Sequence, residues 1–70
     1  MITVKEIYKR DRKICHLCFR RVRREEGSRD HVRPRSLGGP DDARNLRLAH
    51  RRCNSRRGTM RVCEAREILA

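Results

Sequence analysis

Apolar positions along this chain come in short groups whose spacing changes from segment to segment. Near the start, Ile7 with Val4 and the stem of Tyr8 makes a small helical face, and Thr3 followed by Glu6 has capping-box spacing. A helix is therefore expected over roughly residues 4 to 12, delivering the chain to a tight turn at "CHLC". The next stretch, "FRRVRREEGSR", alternates weakly at Phe19 and Val22 and ends in the turn residues Gly27 and Ser28, so it reads as a short strand or loop. "RDHVRP" alternates around Val32 and stops at Pro34, as a strand does when its next residue lacks an N–H. "RSLGGPDDAR" is a loop by composition. "NLRLA" alternates again, with Leu46 and Leu48 on one side, and "HRRCNSRRG" reads as a short helix with Gly58 after its end. Thr59 is placed to cap a last helix in which Val62, Ala65, Ile68 and Leu69 recur at helical spacing. The expectation is a hairpin followed by a helix, flanked by N- and C-terminal helices: an α+β fold in a single domain, residues 1–70.

Composition changes this picture by showing that the core is too small. Seventy residues bury a modest fraction of their surface, and here 41% are charged, 36% hydrophobic, with one Tyr, one Phe and no Trp. Such a balance lies toward the disordered side of charge and hydropathy, and a bound metal would correct it. The four cysteines are the natural donors. No apolar run in "MITVKEIYKRDRK" is long enough for a signal peptide or a spanning helix, so a cytoplasmic location with reduced thiols is expected.

The net charge of +11, carried mostly by arginine, points to nucleic acid as the partner, because guanidinium groups make planar, bidentate contacts with phosphate. A membrane surface is disfavoured, since the basic residues do not oppose one continuous apolar stripe.

Cys15 and Cys18 are separated by two residues, as are His50 and Cys53, the paired spacing of a closed tetrahedral zinc site. His16 or Cys63 remains an alternative fourth ligand, although His16 inside the turn would tend to point away, and Cys63 beside Val62 could equally be a packed thiol. Four protein ligands leave no open position, so the zinc would be structural.

Asp30 and His31 are adjacent at the end of an expected strand, where both can flank one substrate group. The carboxylate can hold a hard cation while the imidazole takes a proton from water. Asn54 follows Cys53 and is rotated from it by about 100°, given 3.6 residues per helical turn. One helix can thus face zinc with His50 and Cys53 and turn Asn54 toward a second metal.

With "CHLC" before them, "DHVRP", "GG" and "NLRLAHRRCNSRRG" resemble the HNH endonuclease family in its zinc-stabilised ββα-metal, or His-Me finger, form. The resemblance covers roughly residues 7 to 58, with the core motif at about 15–58. It implies that His31 is the general base, that Asp30 ligates the catalytic divalent cation, that Asn45 orients the base and steadies the loop, and that Asn54 is the other metal ligand. Asn54 stands where many members have His, an oxygen-type donor that favours Mg²⁺ or Mn²⁺. His50 stands where the second pair usually begins with Cys. The activity implied is hydrolysis of DNA phosphodiester bonds, by nicking or cleavage, with little sequence specificity. Compact members of this kind are similar to proteins found beside phage packaging genes, which implies a terminase or another phage or host protein as a further partner.

Arg33 and Arg35 on the loop and Arg51, Arg52, Arg56 and Arg57 on the helix are candidates for phosphate contacts, each also readable as part of a solvated basic face. Two rival functions use these arginines: a knuckle with the same zinc that binds nucleic acid without cutting it, and a small packaging protein indifferent to zinc.

Overall fold

A computed structural model describes residues 2–70. Helix α1 (Val4–Arg10) opens on the capping box: the Glu6 amide donates to Thr3 Oγ1 at 3.1 Å, and the Thr3 amide donates back to Glu6 Oε1 at 3.1 Å. These two bonds satisfy helix-end donors that would otherwise lack partners. Ile7 is fully buried on its inner face. The helix ends short of residue 12 because Arg12 and Lys13 take φ of 56° and 62°, turning the chain back on itself. The Asp11 carboxylate secures this exit by accepting from the Leu48 amide at 2.8 Å. Burial pushes its pKa up, but bonds from Arg10 and Leu48 outweigh that and hold it below the usual carboxylate range.

The reversed chain makes a narrow loop, with an Ile14–Arg21 bridge and the Val22 amide on the Lys13 carbonyl at 2.7 Å. The "CHLC" turn sits at its tip. The stretch expected as strand or loop reduces to that bridge and a 3₁₀ turn at Arg24–Glu26.

Strand β1 (Gly27–His31) pairs antiparallel with β2 (Leu46–His50), in register from Gly27 opposite His50 to His31 opposite Leu46. The strand therefore begins earlier than "RDHVRP", at the two residues expected to turn. Gly27 is buried, and a Cβ there would meet Leu48 Cδ1 and the Arg24 carbonyl at 3.4 Å, while Ser28 Oγ donates to the Ala49 carbonyl at 3.1 Å. β1 also ends before Pro34, at His31, where side chains take over the backbone carbonyls.

Helix α2 (Arg51–Arg57) follows β2 directly, with His50 as its N-cap residue, so His50 closes the strand rather than opening the helix. Gly58 ends it at φ 55°. Helix α3 (Val62–Leu69) has Arg61 at its N-cap without a side-chain cap, so the cap expected of Thr59 is not made. Ala65 and Leu69 face inward while Ile68 and Cys63 are exposed, which overturns the packed-thiol reading of Cys63. Arg66 fastens α3 to the turn, donating to the His16 carbonyl at 2.8 Å with its guanidinium over the Phe19 ring.

The core gathers Ile7, Leu17, Val22, Leu46, Leu48, Ala65 and Leu69 around three of the cysteines. Among the described residues, no helix is long and apolar enough to cross a membrane.

Candidate functional site

Two donor clusters draw on the same short hairpin and helix. In the first, one ligand atom from each of Cys15, Cys18, His50 and Cys53 lies within 4.8 Å of all the others, and all four residues are buried. His50 Nδ1 is 3.4 Å from Cys18 Sγ and 3.8 Å from Cys53 Sγ. Zinc–sulfur bonds of about 2.3 Å and a zinc–nitrogen bond of about 2.0 Å require tetrahedral edges of about 3.5 Å between nitrogen and sulfur, so the set fits a zinc ion. The second ring nitrogen, Nε2, is 3.1 Å from the Arg21 carbonyl, an acceptor, so it carries the proton and Nδ1 turns its lone pair inward. Burial, with the negative sulfurs of Cys15 and Cys18 adding, pushes the Cys53 thiol up to about 12. A cation held by this set would favour the thiolate form of its sulfur ligands.

The second cluster lines an open cleft of about 250 Å³ and includes Asp30, His31 and Asn54. Asp30 is buried, and its Oδ2 accepts from His16 Nε2 at 2.7 Å and from Arg57 Nη1 at 2.8 Å. Among the described residues, Oδ1 has no hydrogen-bond partner. His31 is partly exposed and its Nε2 lies 2.6 Å from Asp41 Oδ1. That bond, with Arg35 and Arg29 adding, holds Asp41 below the usual carboxylate range, so Asp41 is an anion at neutral pH and Nε2 is the donor. Nδ1 is then the nitrogen left with a free lone pair. Asn54 Nδ2 donates to Ser28 Oγ and to the Arg29 carbonyl, both at 3.3 Å. A carbonyl can only accept, which fixes the amide orientation and leaves the Asn54 oxygen unengaged.

The HNH endonuclease family model matches residues 15–59, well over half of the chain and the whole of both clusters. The chain belongs to the HNH endonuclease family. None of the curated proteins compared with it matches.

In this HNH domain, then, the zinc donors and the three cleft residues expected from sequence come together. Asn45 holds the loop, as expected, but makes no hydrogen bond to His31. Its Oδ1 accepts from the Arg33 amide at 2.9 Å, and its Nδ2 donates to the Arg33 and Pro40 carbonyls at 3.1 and 2.9 Å, stapling the loop between the strands. The residue that touches the His31 ring is Asp41, one position past that staple.

Arg57 requires a correction. Expected at the phosphate backbone, its side chain is 1% exposed and reaches Asp30 and the carbonyls of His31, Val32 and Met60. Its place four residues after buried Cys53 puts it on the inward face of α2, a helical spacing that was available in the sequence. Among the other arginines, Arg33 donates to the Leu37 carbonyl, Arg51 to the Glu25 carbonyl and Arg52 to Glu26. Arg35 is largely exposed with only a long contact to Asp41, and Arg56 is exposed with no partner among the described residues.

His16 and Asp41 are the functional neighbours that sequence reasoning missed. His16 does turn away from the zinc donors, but toward Asp30. For Asp41 the available signal was weak: an acidic pair in a strongly basic chain.

Proposed function

We propose that the cleft hydrolyses DNA phosphodiester bonds, with His31 as general base and with Asp30 and Asn54 holding a divalent cation. The observation that supports this is that Asp30, His31 and Asn54 line one cleft and each is hydrogen-bonded through one polar atom only, which leaves Asp30 Oδ1, His31 Nδ1 and Asn54 Oδ1 unengaged. Two hard oxygen donors suit Mg²⁺ or Mn²⁺. Such an ion, when bound, neutralises charge developing on the phosphate and on the leaving 3′ oxygen. His31 takes a proton from water at Nδ1, and Asp41 holds the far end of the ring so that this nitrogen keeps its lone pair toward the cleft. Cys15, Cys18, His50 and Cys53 hold structural zinc, which stabilises the hairpin and α2. Arg35 beside the cleft and Arg56 on α2 engage the flanking phosphates, which positions DNA without reading much sequence.

Plasmid nicking tests this. Zinc-loaded protein with Mg²⁺ or Mn²⁺ should convert supercoiled plasmid to the nicked or linear form. His31→Ala should lower that rate by about 10²- to 10⁴-fold, the range for loss of a general base, with DNA binding retained. Wild-type protein that binds plasmid and leaves it intact with both ions would sink the hydrolysis claim and leave a zinc-knuckle binding module.

A further inference from the structure

His16 belongs neither to the zinc donors nor to the cleft lining, yet it touches both regions. It sits between Cys15 and Cys18, with its backbone held on two sides: its amide donates to the Leu48 carbonyl at 2.9 Å, and its carbonyl accepts from Arg66 Nε at 2.8 Å. Its ring, 9% exposed, ends 2.7 Å from Asp30 Oδ2. The other ring nitrogen, Nδ1, is buried without a partner. Nε2 faces a carboxylate oxygen, which accepts, so the ring is the donor in that bond.

The Asp30 carboxylate turns about a soft terminal torsion, and one donor would not fix it. Arg57 alone is also a poor guide, because a guanidinium favours engaging both oxygens of a carboxylate. Here His16 and Arg57 meet on the same oxygen, Oδ2, and the second terminal nitrogen of Arg57 is held by the Val32 carbonyl. The result is that Asp30, a residue of the cleft lining, is held through Oδ2 with Oδ1 unengaged.

We propose that His16 is a positioning residue for the cleft: it fixes Asp30 so that Oδ1 alone is presented to the divalent cation, and so ties the cation affinity of the cleft to the zinc-binding turn. This rests on Asp30 being a cation ligand, as proposed above. Because the turn that carries His16 is the one that carries Cys15 and Cys18, a shift of that turn is passed to Asp30 through one hydrogen bond.

The test compares wild type, His16→Leu, His16→Gln and Asp30→Ala as full chains loaded with zinc. Bound zinc is measured by elemental analysis, folding by circular dichroism, Mn²⁺ affinity by titration calorimetry without DNA, and plasmid nicking against Mg²⁺ concentration. His16→Leu should keep one zinc per chain and weaken Mn²⁺ binding by about 10- to 100-fold, the usual effect of removing a partner of a metal ligand. Half-saturating Mg²⁺ for nicking should rise in parallel, with less change in the rate at saturating ion. His16→Gln should recover most of the affinity, because its side-chain amide can donate to Oδ2 from nearly the position of Nε2. Unchanged Mn²⁺ affinity in folded, zinc-loaded His16→Leu overturns the proposal, and so does loss of zinc or fold in both His16 variants, which would make the residue a part of the turn alone. Wild type that binds no Mn²⁺, or Asp30→Ala that binds it as tightly as wild type, would instead remove the cation site itself.

Discussion

The zinc turn and the cleft draw on the same helix, with Cys53 in one and its neighbour Asn54 in the other, yet they are built on opposite rules. Every donor of the zinc set is buried, and the free nitrogen of His50 is engaged by the Arg21 carbonyl, so nothing remains for a substrate. In the cleft each group is engaged on one side only: Asp30 through Oδ2, His31 through Nε2, Asn54 through its amide nitrogen. At the cleft, half of each side chain's bonding capacity fixes its place and the other half is left over. A zinc ion held by the Cys/His set would supply stability that the chain's few apolar residues do not.

The largest break in this division comes from chelating zinc. Loss of the ion should remove stabilisation on the order of 10 kcal/mol and unfold both regions together, seen as loss of helical circular dichroism. A cleft that kept its fold and Mn²⁺ affinity in the zinc-free chain would show the two regions to be independent. Next comes Arg57→Leu, which leaves Asp30 buried beside His16 without its cation. Breaking a buried ion pair typically costs about 3 to 5 kcal/mol, so a clear fall in the denaturant midpoint is expected, where an exposed arginine would give almost none.

Asp41→Ala probes the cleft without disturbing the core. Its carboxylate is exposed, so folding should be unchanged, while nicking should fall about tenfold. Since the folded pKa of Asp41 lies below its ordinary 3.8, its bond to His31 is in full force above that value and is lost only as pH falls further. Nicking by Asp41→Ala at the wild-type rate at neutral pH would remove Asp41 from the mechanism. The smallest effect is that of Arg56→Ala. Stability should change by less than about 0.5 kcal/mol, and the logarithmic salt dependence of DNA binding should flatten by about one phosphate contact. An unchanged slope would place Arg56 off the DNA.

The zinc donors and the cleft triad were legible in the sequence because each rests on local spacing: two pairs two residues apart, one adjacent pair at a strand end, and one residue rotated from a ligand on a helix. Arg57 and Asp41 were misjudged or missed because their roles depend on which residues the fold carries past them. Arg57 in a basic run looks solvated until burial of Cys53 fixes the inward face of α2. Asp41 meets His31 only after the Asn45 staple has folded the loop. Element ends were misplaced for a related reason, since Gly27 and Ser28 look like turn residues until β2 supplies their partners, and Thr59 looks like a cap until Gly58 turns it into the cleft lining.

The loop between the strands has one further consequence. Gly39 lies so close to Arg33 that a Cβ would come within 1.7 Å of its carbonyl oxygen, and Asn45 holds both backbone groups of Arg33. Trypsin can cut this loop after Arg35, since Pro34 blocks the bond after Arg33, but it must first draw several residues of backbone into an extended form, and the neighbouring backbone at Arg33 is already committed on both sides. The loop should therefore survive digestion for as long as the domain is folded, despite its surface position, and become one of the first places cut when the domain opens.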